Sequence, residues 1–360
     1  MISGDRAGPG RTVEVVIGCD SDPDRETLVG PLPPDRLAWR GITEGIPALK
    51  ASVADLRDAG GRAPVFTWLI RADEQVRALL GDYAGAFGAH AALHRDLALG
   101  GDELGWHPHF WRLDPVAHTW YQEVEDTAWQ LEMLRGAHAA LSAALAEPIE
   151  SVRMGWNYHN GQTIRALDAL GVVVDFSSLP GLRTYHGAPP PRSENLFDWH
   201  NAPRLPYFPS VADHQRRARG GEARLRLLEL PIFVASAPGW GVVSGLQLAR
   251  KTRSMAPLGD ALRRPTFWVN LTAKPRLFAP LITALVRELR HESAEPLVFA
   301  TYFHPDELIP NRSRLYDLPS VRANLSAILA ACDRAGAIVE FRQAAEVARR
   351  LVAGPSSAVA

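Results

Sequence analysis

The feature that most constrains this chain is a regular alternation between short apolar, β-branched runs and longer amphipathic stretches. Val13–Gly18 reads as a buried strand. A helix follows to about Ala59, with Pro47 in its first turn, Ile46, Leu49, Val53 and Leu56 on one stripe, and Gly60-Gly61 as its stop. Pro64–Ile70 is the next strand, and Asp73 is placed to cap a long helical stretch from Glu74 to about Leu99, broken at Gly81 or Gly88. Strand Glu103–Phe110, helix Thr119–Leu145, strand Ser151–Gly155, helix Gln162–Leu170 and strand Val172–Phe176 continue the pattern. Such an order predicts a parallel sheet with helices packed outside it.

Leu179–Arg226 interrupts the alternation with a Pro-rich, polar stretch and then a basic one. It reads as an insertion loop, and its arginines (Arg216, Arg217, Arg219, Arg224, Arg226) as a solvated basic surface, with a phosphate-bearing ligand as the alternative. The alternation then resumes. Strands are expected at Leu227–Val234, Thr266–Leu271, Leu297–Phe303 and Ile338–Phe341. Helices are expected around Leu246–Met255, Ala279–Arg290, Val321–Cys332 and Ala344–Val352. Residues 1–12 and 354–360 read as loose tails, and 13–353 as one domain carrying the insertion over 179–226.

Composition narrows the function classes. A formal net charge of −1 over 360 residues provides no field to draw the chain to nucleic acid or to an anionic membrane. The two cysteines, Cys19 and Cys332, make no disulfide framework, so a reducing cytoplasm is the simpler setting. The N-terminal residues contain no signal-peptide apolar core, and no stretch reaches the roughly 18 unbroken apolar residues of a membrane span. The expectation is a cytoplasmic protein that takes a small-molecule or saccharide substrate, without nucleic-acid partner or integral membrane segment.

The chemistry-bearing residues cluster at strand ends. Gly101–Trp111 reads GDELGWHPHFW, and on an extended chain His107 and His109 share a face, where two imidazoles can grip one metal ion. The first strand ends Cys19-Asp20-Ser21-Asp22-Pro23, again with two like groups two residues apart. Taken singly, these read more readily as hydrogen-bonded histidines at a strand end and as an Asp-Pro turn. Arg153 lies in a short strand, and His304 follows another. In a (β/α) barrel, functional groups from different strands converge at the C-terminal face. Several unrelated strands delivering Asp, His, Arg and His to matching ends form a stronger pattern than any one of them.

The order of these segments resembles the polysaccharide deacetylase superfamily, the NodB-homology carbohydrate esterases. Val13–Asp22 is similar to the first motif of that family and Gly101–His109 to the second. Val152–Ser178 (VRMGWNYHNGQTIRALDALGVVVDFSS) is similar to the third, and Val298–Leu308, with FHPDEL, to the last. The resemblance spans roughly Val13 to Val352. It implies an α/β fold, an irregular (β/α) barrel of about seven strands related to the TIM barrel. It also implies one divalent metal ion, zinc ahead of cobalt or nickel, held by Asp22, His107 and His109. Asp20 would be the base, His304 the general acid, and Arg153 the residue that orients the base.

The sequence departs from the family pattern in three places. The second motif usually carries His at i and i+4, and Trp111 stands at i+4 from His107, which leaves His109 at i+2 as the replacement. The acidic pair is Asp-Ser-Asp, so the roles of Asp20 and Asp22 are interchangeable. The third motif lacks the usual Pro-Tyr after Arg153. Asp198-Trp199 is similar to the family's Asp-Trp motif. Trp106, Trp111, Trp156, Tyr158 and Trp199 are candidates for stacking on sugar rings, against the alternative that they fill the core. Asn157 and Asn160 are candidates for sugar hydroxyls or for the cap of the following helix.

The function expected from this resemblance is metal-dependent removal of an N-acetyl or O-acetyl group from an amino sugar or glycan intermediate. Another C–N hydrolase acting on a ureide or cyclic amide, and a non-catalytic carbohydrate-binding protein, are the alternatives.

Overall fold

The computed structural model describes residues 11–24, 37–184, 195–252, 255–291, 296–310 and 313–353. The two expected tails (residues 1–10 and 354–360) and the Pro-rich stretches 25–36 and 185–194 lie outside these residues.

In chain order the strands are β1 (Thr12–Ser21), β2 (Thr67–Arg71), β3 (Glu103–His107), β4 (Trp111–Asp114), β5 (Thr119–Gln122) and β6 (Ser151–Val152). They continue as β7 (Val174–Asp175), β8 (Leu228–Glu229), β9 (Ala235–Ser236), β10 (Thr266–Phe267), β11 (Leu297–Phe303) and β12 (Ile338–Arg342). The main sheet has the order β11-β1-β2-β3-β6-β7-β8, and every pair in it is parallel. β12 pairs with the first half of β1, and β2 with its second half. Beyond β8 the chain meets β11 again through a parallel bridge between Ile232 and Ala300, so the seven strands curl into a barrel.

Strand alternation decides what each side of this barrel contains. On β1, Val13, Val15, Ile17 and Cys19 pack outward against α1 (Ile46–Ser52), α9 (Pro275–Leu289) and α10 (Leu318–Arg334). Each such side chain, fully buried, contributes about 1.5–3 kcal/mol through the hydrophobic effect. The intervening residues Glu14, Val16, Gly18 and Asp20 therefore point inward. The same alternation turns Arg71, His107 and Arg153 inward at the ends of their strands. On β11 it sends Phe299 and Phe303 out, and Tyr302 and His304 in.

Several sequence expectations need correction. The stretch from Glu74 to Leu99 is three helices: α2 (Glu74–Leu80), stopped by Gly81 in the left-handed conformation, then α3 (Gly85–Ala89) and α4 (Ala91–Leu99). Thr119–Leu145 is not one helix. Thr119–Gln122 pairs antiparallel with Trp111–Asp114, and the helix, α5 (Thr127–Leu145), begins only where the Asp126 side chain accepts from Trp129 N–H at 3.0 Å. The bulky run Thr119-Trp120-Tyr121 suits a strand better than a helix. The third strand stops at His107, because Pro108 has no N–H to continue the ladder. The remaining helices are α6 (Gly161–Ala169), α7 (Pro238–Thr252), α8 (Ala256–Arg263) and α11 (Ala344–Ala353). Among the described residues, no helix is long and apolar enough to cross a membrane.

Candidate functional site

The inward-facing strand ends meet at one rim of the barrel. His107 Nε2 and His109 Nε2 lie 3.1 Å apart, and the Asp22 carboxylate sits 3.7 Å from the first and 3.6 Å from the second. One donor atom from each of these three buried residues lies within 4.8 Å of the other two. His107 Nδ1 is 2.6 Å from the carbonyl oxygen of Arg153. A carbonyl only accepts, so Nδ1 carries a proton, and it is Nε2 that faces His109 and Asp22 and offers its lone pair when the ring is neutral.

His109 reaches this position although β3 has ended. Its backbone N–H donates to Asp73 at 3.0 Å, and its ring stacks on Trp111 at 5.7 Å with planes 7° apart. The other side of the ring is closed by the backbone of Gly155, where an added Cβ would come within 2.1–2.3 Å of ring atoms. Trp111, four residues after His107, thus serves as the backing of the His109 ring.

Asp20 lies next to this trio. One of its oxygens is held by Arg153 and stands 3.5 Å from His304 Nε2. The other is buried and, among the described residues, has no hydrogen-bond partner. Arg153 also donates to Asn157 at 2.6 Å and lies over the Tyr302 ring, 3.6 Å from its centroid. His304 Nδ1 is 3.2 Å from the Glu307 carboxylate, which further accepts from Asn270 at 2.7 Å and from Thr272 at 2.5 Å. That arrangement places the Nδ1 proton toward Glu307 and turns Nε2 toward Asp20.

A second arginine, Arg71, donates to Asp22 at 2.6 Å, to Gln75 at 2.9 Å and to Asp73. Burial alone would raise the pKa of Asp22, but the neighbouring His107 and Arg71 charges hold it well below the usual carboxylate range. Burial, and then the charge of Arg71, hold His109 well below the ordinary histidine value. Burial opposes protonation of His107, and the charges of Asp20 and Asp22 more than reverse it. The site therefore presents an ionised carboxylate and a neutral imidazole side by side.

This donor set fits a divalent metal ion. Two imidazole nitrogens and one carboxylate oxygen converge, the tautomer of one imidazole is fixed by a backbone carbonyl, and metal–N bonds of about 2.0–2.1 Å at roughly tetrahedral angles require nitrogens a little over 3 Å apart, close to the spacing of His107 and His109.

The site opens into a cleft of about 570 Å³. Trp111, Trp156, Phe197, Trp240, Phe267 and Trp268 line it, together with Asn157 and Asn270. Trp156 and Asn157 both have left-handed backbone conformations, with φ of 52° and 57°. The loop is held there by the Arg153–Asn157 hydrogen bond and by Trp199 Nε1, which donates to Asn157 O at 2.7 Å.

Sequence expectations for the aromatic residues divide. Trp111, Trp156 and Asn157 line the cleft. Trp106, Tyr158 and Trp199 do not. Trp106 is fully buried on the outward face of β3, donates to Ala72 O at 2.8 Å and packs on His138 of α5. Tyr158 packs edge-on against Phe110 in the core. Trp199, within the insertion, is fully buried and donates from Nε1 to the Asn157 carbonyl behind the cleft. Asn160, not Asn157, caps α6, accepting from Gln162 N–H and Thr163 N–H.

Arg71, Asp73, Asn270 and Glu307 were not singled out as site residues. Arg71 carried the same signal as Asp20 and His107, a polar residue closing a buried strand. Asp73 was visible only in its other role, as the cap of α2, where it accepts from Val76 N–H at 3.1 Å.

No known family model matches the chain, and no curated protein matches it in sequence. Solved structures do match it. A Mycobacterium smegmatis protein proposed to be a polysaccharide deacetylase is 15% identical, with a TM-score of 0.50 over 96% of this chain and 93% of that one. A Parabacteroides distasonis protein proposed to be a glycoside hydrolase or deacetylase is 12% identical, with a TM-score of 0.55 over 98% of this chain and 74% of that one. The fold defines a (β/α) barrel of the kind these proteins share. More particularly, its main sheet runs through seven parallel strands curled into that barrel, a fold similar to the one of the M. smegmatis protein.

Proposed function

We propose that the protein is a metal-dependent hydrolase that removes an acetyl group from the nitrogen of an amino sugar or glycan intermediate. The observation that carries this reading is the convergence of Asp22, His107 and His109 within 4.8 Å of one another, with Asp20 and His304 alongside. Asp22, His107 and His109 would hold the ion. When bound, such an ion lowers the pKa of water and polarises a carbonyl oxygen.

The chain's own residues supply the proton transfers. Asp20, oriented by Arg153, has a buried oxygen without a hydrogen-bond partner among the described residues, and this atom takes the proton of the attacking water. His304 Nε2, on the far side of Asp20, protonates the departing amine, and Glu307 keeps its Nδ1 proton in place. Trp111 and Trp156 offer apolar faces to a sugar ring, and Asn157 fixes the loop that carries Trp156.

The test is a substrate screen on metal-supplemented protein. Acetate release from N-acetylated amino sugars, and none of it from Asp20→Asn protein, is the expected result. Turnover of ureides or cyclic amides with no acetate release from any acetylated sugar would replace this reading with the alternative C–N hydrolase. Absence of turnover on both sets, in protein that binds metal, would contradict the enzymatic reading.

A further inference from the structure

A second concavity, of about 370 Å³, lies behind the cleft. The two-stranded ribbon β9–β10 separates the two. Phe267 of this ribbon lines the cleft, while its neighbour Thr266 lines the second concavity, as alternation on a strand requires. Thr266 is the register partner of Ser236, so both hydroxyls stand side by side on the far face. Three arginines, Arg204, Arg263 and Arg264, line the same concavity, and among the described residues no Asp or Glu does.

Glu288 acts on Arg204 only at a distance beyond an ion pair. Among the described residues, neither Arg204 nor Arg263 has a carboxylate within ion-pair distance, and Arg264 reaches only the His200 carbonyl, at 3.3 Å. The acid on the same helix, Asp260, is engaged by Arg183 at 2.7 and 3.0 Å. Thr266 is 1% exposed, and its hydroxyl has no hydrogen-bond partner among the described residues. Gly181 lies over it with φ of 84°, and a Cβ there would come within 2.6 Å of that hydroxyl. Three cations and two hydroxyls without an anionic partner, gathered in one concavity, concentrate positive potential there. Guanidinium forks match phosphate oxygens in geometry, and hydroxyls complete such sites.

We propose that this concavity binds a phosphoryl group, separately from the cleft, through Arg204, Arg263, Arg264 and the Ser236–Thr266 hydroxyl pair. Its volume exceeds that of a single phosphate ion, so either a free phosphate or the phosphate of a monoester such as a sugar phosphate is accommodated.

Isothermal titration at low ionic strength tests this, with inorganic phosphate and glucose 6-phosphate as probes. Saturable binding of one equivalent is expected for the wild type. In the Arg204→Gln/Arg263→Gln variant, which alters only exposed side chains, affinity should fall at least tenfold, because each guanidinium contributes a charge-assisted hydrogen bond. Asp22→Asn protein should bind as the wild type does. Tighter binding of glucose 6-phosphate would identify the ligand as a monoester, and tighter binding of inorganic phosphate would identify it as the free ion. Absence of saturable binding of either probe to the wild type, or equal affinity in the double arginine variant, would overturn the proposal.

Discussion

The carbonyl oxygen of Arg153 accepts a hydrogen bond from His107 Nδ1 at 2.6 Å, while the guanidinium of the same residue holds Asp20. One residue thus sets the tautomer of an imidazole in the candidate metal site through its backbone and the orientation of the candidate base through its side chain. The two roles are separable by mutation. Arg153→Lys keeps the carbonyl and loses the fork. Metal content should stay near wild type while kcat falls by about 10–100-fold, the usual cost of losing an orienting partner. Equal loss of metal and activity would show that the two roles are not separable.

Glu307 touches His304 and not the ligand set. Glu307→Gln should therefore leave metal content unchanged and lower kcat by about a hundredfold or more, within the range supplied by a positioned general acid. Steady-state kinetics beside metal analysis checks this. A change confined to KM would place His304 in substrate binding instead.

Gly155 is fixed by the ring of His109. In Gly155→Ala the new Cβ would overlap the imidazole, so the ring or the loop has to move. A loss of about 1–3 kcal/mol of stability is expected, typical of overpacking, together with weaker metal binding. Urea unfolding and a metal competition titration read the two effects. Wild-type behaviour in both would mean that His109 does not pack here in solution.

His94 lies outside the site, 1% exposed, stacked on Phe87, with neither ring nitrogen hydrogen-bonded among the described residues. Burial, and then the charge of His90, bring its pKa from 6.5 down to about 4. The folded state thus binds its proton less readily than the unfolded state. Its contribution is fully present above pH 6.5 and is lost as pH falls toward 4, amounting to roughly 3 kcal/mol across the window. His94→Leu should flatten the loss of stability between pH 7 and pH 4.5, as read by urea unfolding at each pH. An unchanged slope would remove His94 as its source.

The inward residues at strand ends were legible in the sequence because alternation on a buried strand fixes which side chains share a face. Asp20, Asp22, His107, Arg153 and His304 all meet at one rim for that reason. Pairings that depend on distant segments were not legible. Strand β5 looked like the start of α5 because its apolar spacing suits either period, and its pairing with β4 was not visible. Trp106, Tyr158 and Trp199 looked like cleft aromatics because a buried ring and a ligand-stacking ring have the same composition, and only packing tells them apart. Arg71 and Glu307 form ion pairs across 49 residues and across 3, and neither spacing marks a site in advance.

The proposed function requires that Asp22, His107 and His109 hold one divalent ion. Metal content by mass spectrometry, on protein purified without a His-tag, tests it most directly. About one equivalent of a divalent metal in the wild type, lost in both Asp22→Ala and His109→Ala, is the expected result. A wild type that retains no metal after incubation with excess zinc or cobalt would contradict the account.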